Sequence, residues 1–105
     1  MKIIINGKTF ESGKITRAKY KIYTEAKKKI TEKEEKSVDY NDEDLDLMVR
    51  TLVKLYDNQF SEDDINDDFE IADIIFEFMQ CDIDIMGKLN NKIDKAQKGF
   101  LKMKK

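Results

Sequence analysis

Hydrophobic positions along this chain change period as the sequence advances, and each change marks a predicted element. Ile3-Ile4-Ile5 is β-branched and is followed by Asn6-Gly7, a pair suited to a type I′ turn because both central residues of that turn need positive φ. Lys8-Thr9-Phe10-Glu11 supplies the return strand, so residues 1–11 read as a β-hairpin. A lone hairpin is marginal in water and must lean on an apolar surface. Ile3, Ile5 and Phe10 are therefore expected to touch a helical body. A hairpin edge also offers unpaired backbone groups, which makes Ile3, Ile4 and Ile5 candidates for self-association.

From Thr16, a predicted N-cap, the period becomes helical. Residues 17–35 carry a thin stripe of Ala18, Ile22, Ala26 and Ile30, with Tyr20 and Tyr23 on its flanks. So little apolar area predicts a helix that covers a core without filling it. Residues 33–44 are polar and charged, with Ser37 and Asn41-Asp42 as turn formers. Leu45, Met48, Val49, Leu52 and Tyr56 then fall on one face of a helix over 42–57, widened by Val53 and Leu55. After a stop near Asn58, Ser61 is placed to cap a short helix, with Asp64 in a weak capping-box position.

The last helix is predicted from about Asp68 to Gln97. Its first half is apolar almost all round and must be buried by its own domain or by a partner. A heptad-like stripe runs through Ala72, Ile75, Met79, Met86, Leu89, Ile93, Ala96 and Phe100, interrupted by Asp82. The alternative is a stripe that folds back on helix 17–35. As a docking face for an amphipathic helix, its candidate residues are Ile75, Met79, Met86, Leu89 and Ile93, with the methionines as adaptable contacts. The fold class is thus mainly α: a small helical domain with an N-terminal β-hairpin and a long C-terminal helix. A single domain is expected over 1–105, with the hairpin at 1–11, a helical body at 17–97 and a frayed basic tail at 98–105.

Composition removes several functions. The 105 residues include no Pro and four Gly, which favours helices over a multi-strand sandwich. There is no His, and Ser12, Ser37 and Ser61 stand in no nucleophile motif, so no enzyme is expected. The single cysteine, Cys81, lies among apolar and acidic residues that raise a thiol's pKa, and it suits a reducing compartment. A calcium loop starting at Asp64 fails where Gly and Glu are needed, because Phe69 and Ile75 stand there. No metal or other cofactor is expected. Apolar runs are far shorter than the roughly 20 residues of a membrane span, and no signal peptide is seen.

Charge is segregated behind a net −2. Residues 1–36 carry eleven Lys or Arg against five acids, residues 37–84 two against sixteen, and residues 85–105 seven against one. Such blocks attract one another within a chain or between copies, or are simply solvated faces. Lys27-Lys28-Lys29 near two tyrosines is a nucleic-acid signal, but the acidic balance of the chain argues against that partner.

The run Leu52 to Phe69, with Asn58-Gln59-Phe60-Ser61 followed by Asp63-Asp64-Ile65, resembles the signature of tail assembly chaperones of long-tailed, siphovirus-type phages of Gram-positive bacteria. Met1 to Phe10 resembles the same family's N-terminal hairpin. The resemblance implies a protein that coats the tape-measure protein, keeps it soluble and helps recruit tail-tube subunits in the cytoplasm of the infected host. It also implies that this chain is the shorter of two forms made by frameshifting. Asn58, Gln59, Phe60, Asp63, Asp64 and Ile65 match the signature and are expected to fix the inter-helix corner rather than bind the client. The chain departs from the family at Asp68, where relatives often have Gly, and in its basic C-terminus. From charge alone, the competing reading is a small acidic adaptor that occupies a basic, nucleic-acid-binding partner.

Overall fold

A computed structural model describes residues 1–36 and 39–103, with side chains placed as far as Ile93. Strands β1 (Lys2–Ile5) and β2 (Lys8–Glu11) form an antiparallel hairpin in which Ile3 faces Phe10 and Ile5 faces Lys8. Its turn is the one expected: Asn6 and Gly7 have φ of 52° and 76°. Four helices follow: α1 (Arg17–Glu35), α2 (Asp42–Leu55), α3 (Glu62–Asp68) and α4 (Ile71–Met103). The turn former Ser37 and the end of the basic tail lie outside the described residues.

Helix α2 is the centre. Met48, Leu52 and Leu55 are fully buried, and the helix packs against α1, α3 and α4. Its start is fixed by a reciprocal capping box, in which Asn41 accepts from the Asp44 N–H while Asp44 accepts from the Asn41 N–H. Helix α1 runs antiparallel to it, because Lys19 near the start of α1 meets Asp57 beyond the end of α2, while Lys33 meets Asp44 at its start.

Helix α1 is more deeply built in than its expected stripe implies. Thr16 caps it as predicted, but the buried positions are Lys19, Tyr23, Ala26 and Ile30, and Ala18 is exposed. Tyr23 is among the largest fully buried side chains, packs on Phe78, and donates its hydroxyl to Asp82 at 2.7 Å. A spacing of four residues drifts round a 3.6-residue helix, so the longer, amphipathic Lys and Tyr side chains took over the face. The helix therefore fills the core as well as covering it.

Helix α4 begins at Ile71 and not at Asp68, which closes α3 instead. The turn between them passes through Phe69 in an extended conformation with φ −91° and ψ 140°. It contains no left-handed residue, so Gly is not required at 68. Asp68 has a use of its own there: its carboxylate accepts the Asn6 N–H of the hairpin turn at 3.0 Å.

Candidate protein-binding surfaces

The corner carrying the signature residues is a clamp. Helix α2 ends in a Schellman arrangement, with the Asn58 N–H donating to Val53 O at 2.9 Å and the Asp57 N–H to Lys54 O at 3.2 Å. Asp57 and Asn58 both take positive φ, near 59° and 58°, in a place where Gly is the usual choice. Asp and Asn tolerate that region better than other L-residues. The Asp57 carboxylate is also tied down, accepting from Lys19 Nζ at 2.9 Å, while the same ammonium donates to Ser12 O at 3.0 Å.

Gln59 reaches across the chain. Its amide donates to Glu11 O at 2.7 Å and to Tyr56 O at 2.9 Å, joining the end of β2 to the end of α2. Phe60 is buried between Phe10 and Tyr56, with ring centroids at 5.1 and 5.5 Å. Ser61 and Asp64 form a full capping box despite the short Asp side chain, and Ile65 is completely buried. Asp63 is exposed in the first turn of α3, where its charge favours the helix dipole. Hairpin, α2 and α3 are thereby held as one unit.

Of the three hairpin candidates for self-association, Ile3 and Ile5 point into the core, at 1% and 2% exposure, and Ile4 stands in solvent. Strand alternation explains the split, since successive side chains point to opposite faces.

Two apolar stripes share helix α4. Ile74, Phe78, Cys81 and Ile85 face the core. Ala72, Phe76, Met79 and Ile83 face solvent on another side, with Phe76 61% and Ile83 64% exposed, and Met86 half-buried at their end. Their spacing of 4, 3, 4 and 3 residues is that of a helix–helix seam. Among the expected docking residues, Ile75 is half-buried and packs on the core, whereas Met79, Leu89 and Ile93 are exposed. Helix α1 meets α4 at Phe78 and Asp82, and the outward stripe is left uncovered.

Over residues 1–103 the sequence matches the model of a family described as phage tail chaperone protein. The chain belongs to the phage tail chaperone family. No curated protein and no solved structure matches it. For this chaperone the match covers hairpin, corner and α4 alike, so the resemblance carried by two short motifs extends to the whole described fold.

The chaperone's charge blocks are partly engaged within the chain. Lys19, Lys27 and Lys33 of α1 pair with Asp57, Asp82 and Asp44, which strap the basic helix to the acidic middle. The hydrogen bond from Lys27, with help from Tyr23, holds the Asp82 carboxyl below its usual range. Asp73, Glu77 and Asp84 form a different row on α4: burial, then the charges of Asp84 and Asp73, push the Glu77 carboxyl up. Burial and the nearby Glu77 and Asp84 also push the Cys81 thiol up to about 12, where the thiolate is scarce. No helix of the described residues is long and apolar enough to cross a membrane.

Phe76 and Ile83 are absent from the docking set read from sequence, although they are among the most exposed large apolar residues of the chaperone. A signal for them was present. Stepping from Ala72 by fours and threes through Phe76, Met79, Ile83 and Met86 keeps every position apolar, whereas the stripe through Ile75 runs into Asp82.

Proposed function

We propose that this tail chaperone binds the tape-measure protein of a siphovirus-type phage of a Gram-positive host, keeps it soluble in the bacterial cytoplasm, and helps recruit tail-tube subunits. It acts by binding, without catalysis or a cofactor. The observation that carries this reading is the uncovered seam of α4 in a member of the tail chaperone family. Phe76, Met79 and Ile83 are large apolar side chains standing in water, and burying such a side chain stabilises a complex by roughly 1.5–3 kcal/mol. A long amphipathic client helix supplies the complementary stripe, and Met79, Met86, Leu89 and Ile93 extend the contact towards the end of the helix. Three acids of the middle block already pair with α1, which weakens the competing idea of an acidic mimic of nucleic acid.

The test is co-expression with the tape-measure protein of the same phage, followed by light scattering. Wild-type chaperone is expected to give a soluble complex with many copies per client, stable in about 0.5 M salt where charge screening is nearly complete. Phe76→Asp with Ile83→Asp is expected to fold normally and leave the client insoluble. Undiminished client solubility with that double variant would refute the α4 reading, and a complex that dissolves in salt would favour the acidic-adaptor alternative.

A further inference from the structure

A second surface lies on the other side of the helical layer. Between α1 and α2 is a cavity of about 120 Å³ with an apolar floor of Ile22, Ala26 and Leu47. Lys29, Arg50 and Lys54 stand round it, with Glu25 as the acid among its lining residues. Arg50 and Lys54 are the two cations of the acidic block 37–84, and both come to this one place. Among the described residues, neither they nor Lys29 lies within 4 Å of a carboxylate oxygen. The cavity has room for a single aliphatic side chain, since one of about 150 Å³ holds a benzene molecule.

Elsewhere the same molecule exposes an apolar side chain set among acids, the chemical complement of this cavity. At the α3–α4 corner, Ile71 is 63% exposed and is surrounded in sequence by Asp67, Asp68, Glu70 and Asp73, all exposed. It stands apart from the outward seam, because from Ile71 to Met79 a helix turns about 800°, which places the two side chains about 80° apart. The cavity cannot be filled by its own corner. Tyr23 and Lys27 of α1 face α4, and Ile22 and Lys29 lie about 140–160° round the helix from Lys27.

We infer that the basic-rimmed cavity between α1 and α2 of one copy receives Ile71 and the acidic corner of a second copy. Ile71 fills the apolar floor, and the carboxylates beside it meet Lys29, Arg50 and Lys54. Such a contact joins two different patches, so it is heterologous: it closes into a ring where the rotation between copies allows, and otherwise leaves a free cavity at one end and a free corner at the other. Copies then add head to tail, with the α4 seam of each left open. This device concerns the chaperone alone and stands or falls independently of what the seam binds.

The test is sedimentation velocity on the purified full chain without client. Wild type is expected to show a concentration-dependent series of oligomers that shifts towards monomer as salt rises. Arg50→Glu with Lys54→Glu destroys the cavity rim, and Ile71→Lys destroys the insert. Each variant alone is expected to associate at least about tenfold more weakly, because like charges now face each other. Mixed together, they are expected to form a one-to-one dimer and nothing larger, since each retains the face the other lacks. If circular dichroism shows that the α2 double variant misfolds, Lys29→Glu on α1 replaces it with the same expectation. A monomeric wild type, variants that still self-associate fully, or a mixture that fails to dimerise would each overturn the proposal. So would a monomeric wild type whose Arg50→Glu form loses its client, because the occupant would then be the client.

Discussion

Around the corner between α2 and α3 most side chains are tied to a second element, whereas along the outer face of α4 large apolar side chains stand in water. Gln59 bonds to β2 and α2, Phe60 stacks between strand and helix, and Asp57 is held by α1. Phe76 and Ile83 touch little of their own chain. The residues that carry the family resemblance thus sit where the fold is decided, while the surface best suited to a partner carries no motif. Physical demands account for the difference. A clamp that accepts two consecutive left-handed residues and a cross-chain amide allows few residue types. A docking stripe asks merely for apolar side chains at the right spacing.

The comparison breaks if the corner is soft. Phe60→Ala is expected to cost the most, about 3–5 kcal/mol, because a buried ring is removed from between Phe10 and Tyr56. That is a large share of the stability of so small a domain, so urea unfolding should move to a much lower midpoint. Amide exchange of the hairpin should become faster, because the aromatic surface it leans on is lost. A loss below about 1 kcal/mol would mean that the corner is no more constrained than an ordinary surface loop.

A smaller effect is expected at the ionic part of the same clamp. Lys19→Met keeps the apolar stem but leaves Ser12 O and the Asp57 carboxylate without their ammonium. An unsatisfied buried acceptor costs about 1–3 kcal/mol. Asp57→Asn should cost less, since Asn tolerates positive φ and Ser12 O keeps its donor. Equal losses in the two variants would place the energy in the ion pair and not in the carbonyl contact.

These same residues show what a single sequence reveals. Asn6-Gly7 announced the hairpin because few residues accept that turn, and Thr16 and Ser61 announced helix starts because their hydroxyls cap nearby N–H groups. The face of α2 was legible because Leu45, Met48, Val49 and Leu52 keep the helical period with no competing pattern. The buried face of helix α1 is not legible in the sequence, because Lys19 and Tyr23 are polar by name, yet each buries a long stem and places its polar tip on a partner distant in sequence. The two stripes of α4 merged into one for a related reason. A helix apolar on two sides gives no hint of which side the body takes, and the answer depends on where α2 presents its own face.

The smallest expected effect separates the acids of α4, and it does so by sign. Asp82 accepts from Lys27 at 2.7 Å and its folded pKa is lowered, so its contribution is present above the unfolded carboxylate value and is lost as pH falls through the folded one. Glu77 is the reverse: half-buried beside Asp73 and Asp84, it resists ionisation in the folded state. Its raised pKa favours the fold below the ordinary carboxylate value, and that advantage is lost as pH rises through the folded pKa. Glu77→Gln, which preserves length and helix propensity, should therefore raise stability at pH 7 by about 0.5 kcal/mol, solvent screening having reduced the charge effect. Asp82→Asn should lower it. Thermal unfolding followed from pH 7 downwards would show the Glu77→Gln difference closing first, as pH falls through the raised folded pKa to the ordinary carboxylate value of about 4.3, and the Asp82→Asn difference closing only below about 3.9. If Glu77→Gln were instead destabilising at pH 7, this carboxylate would be an anchored member of the helix packing, and the contrast between the tied and the unsatisfied parts of the molecule would have to be redrawn within α4 itself.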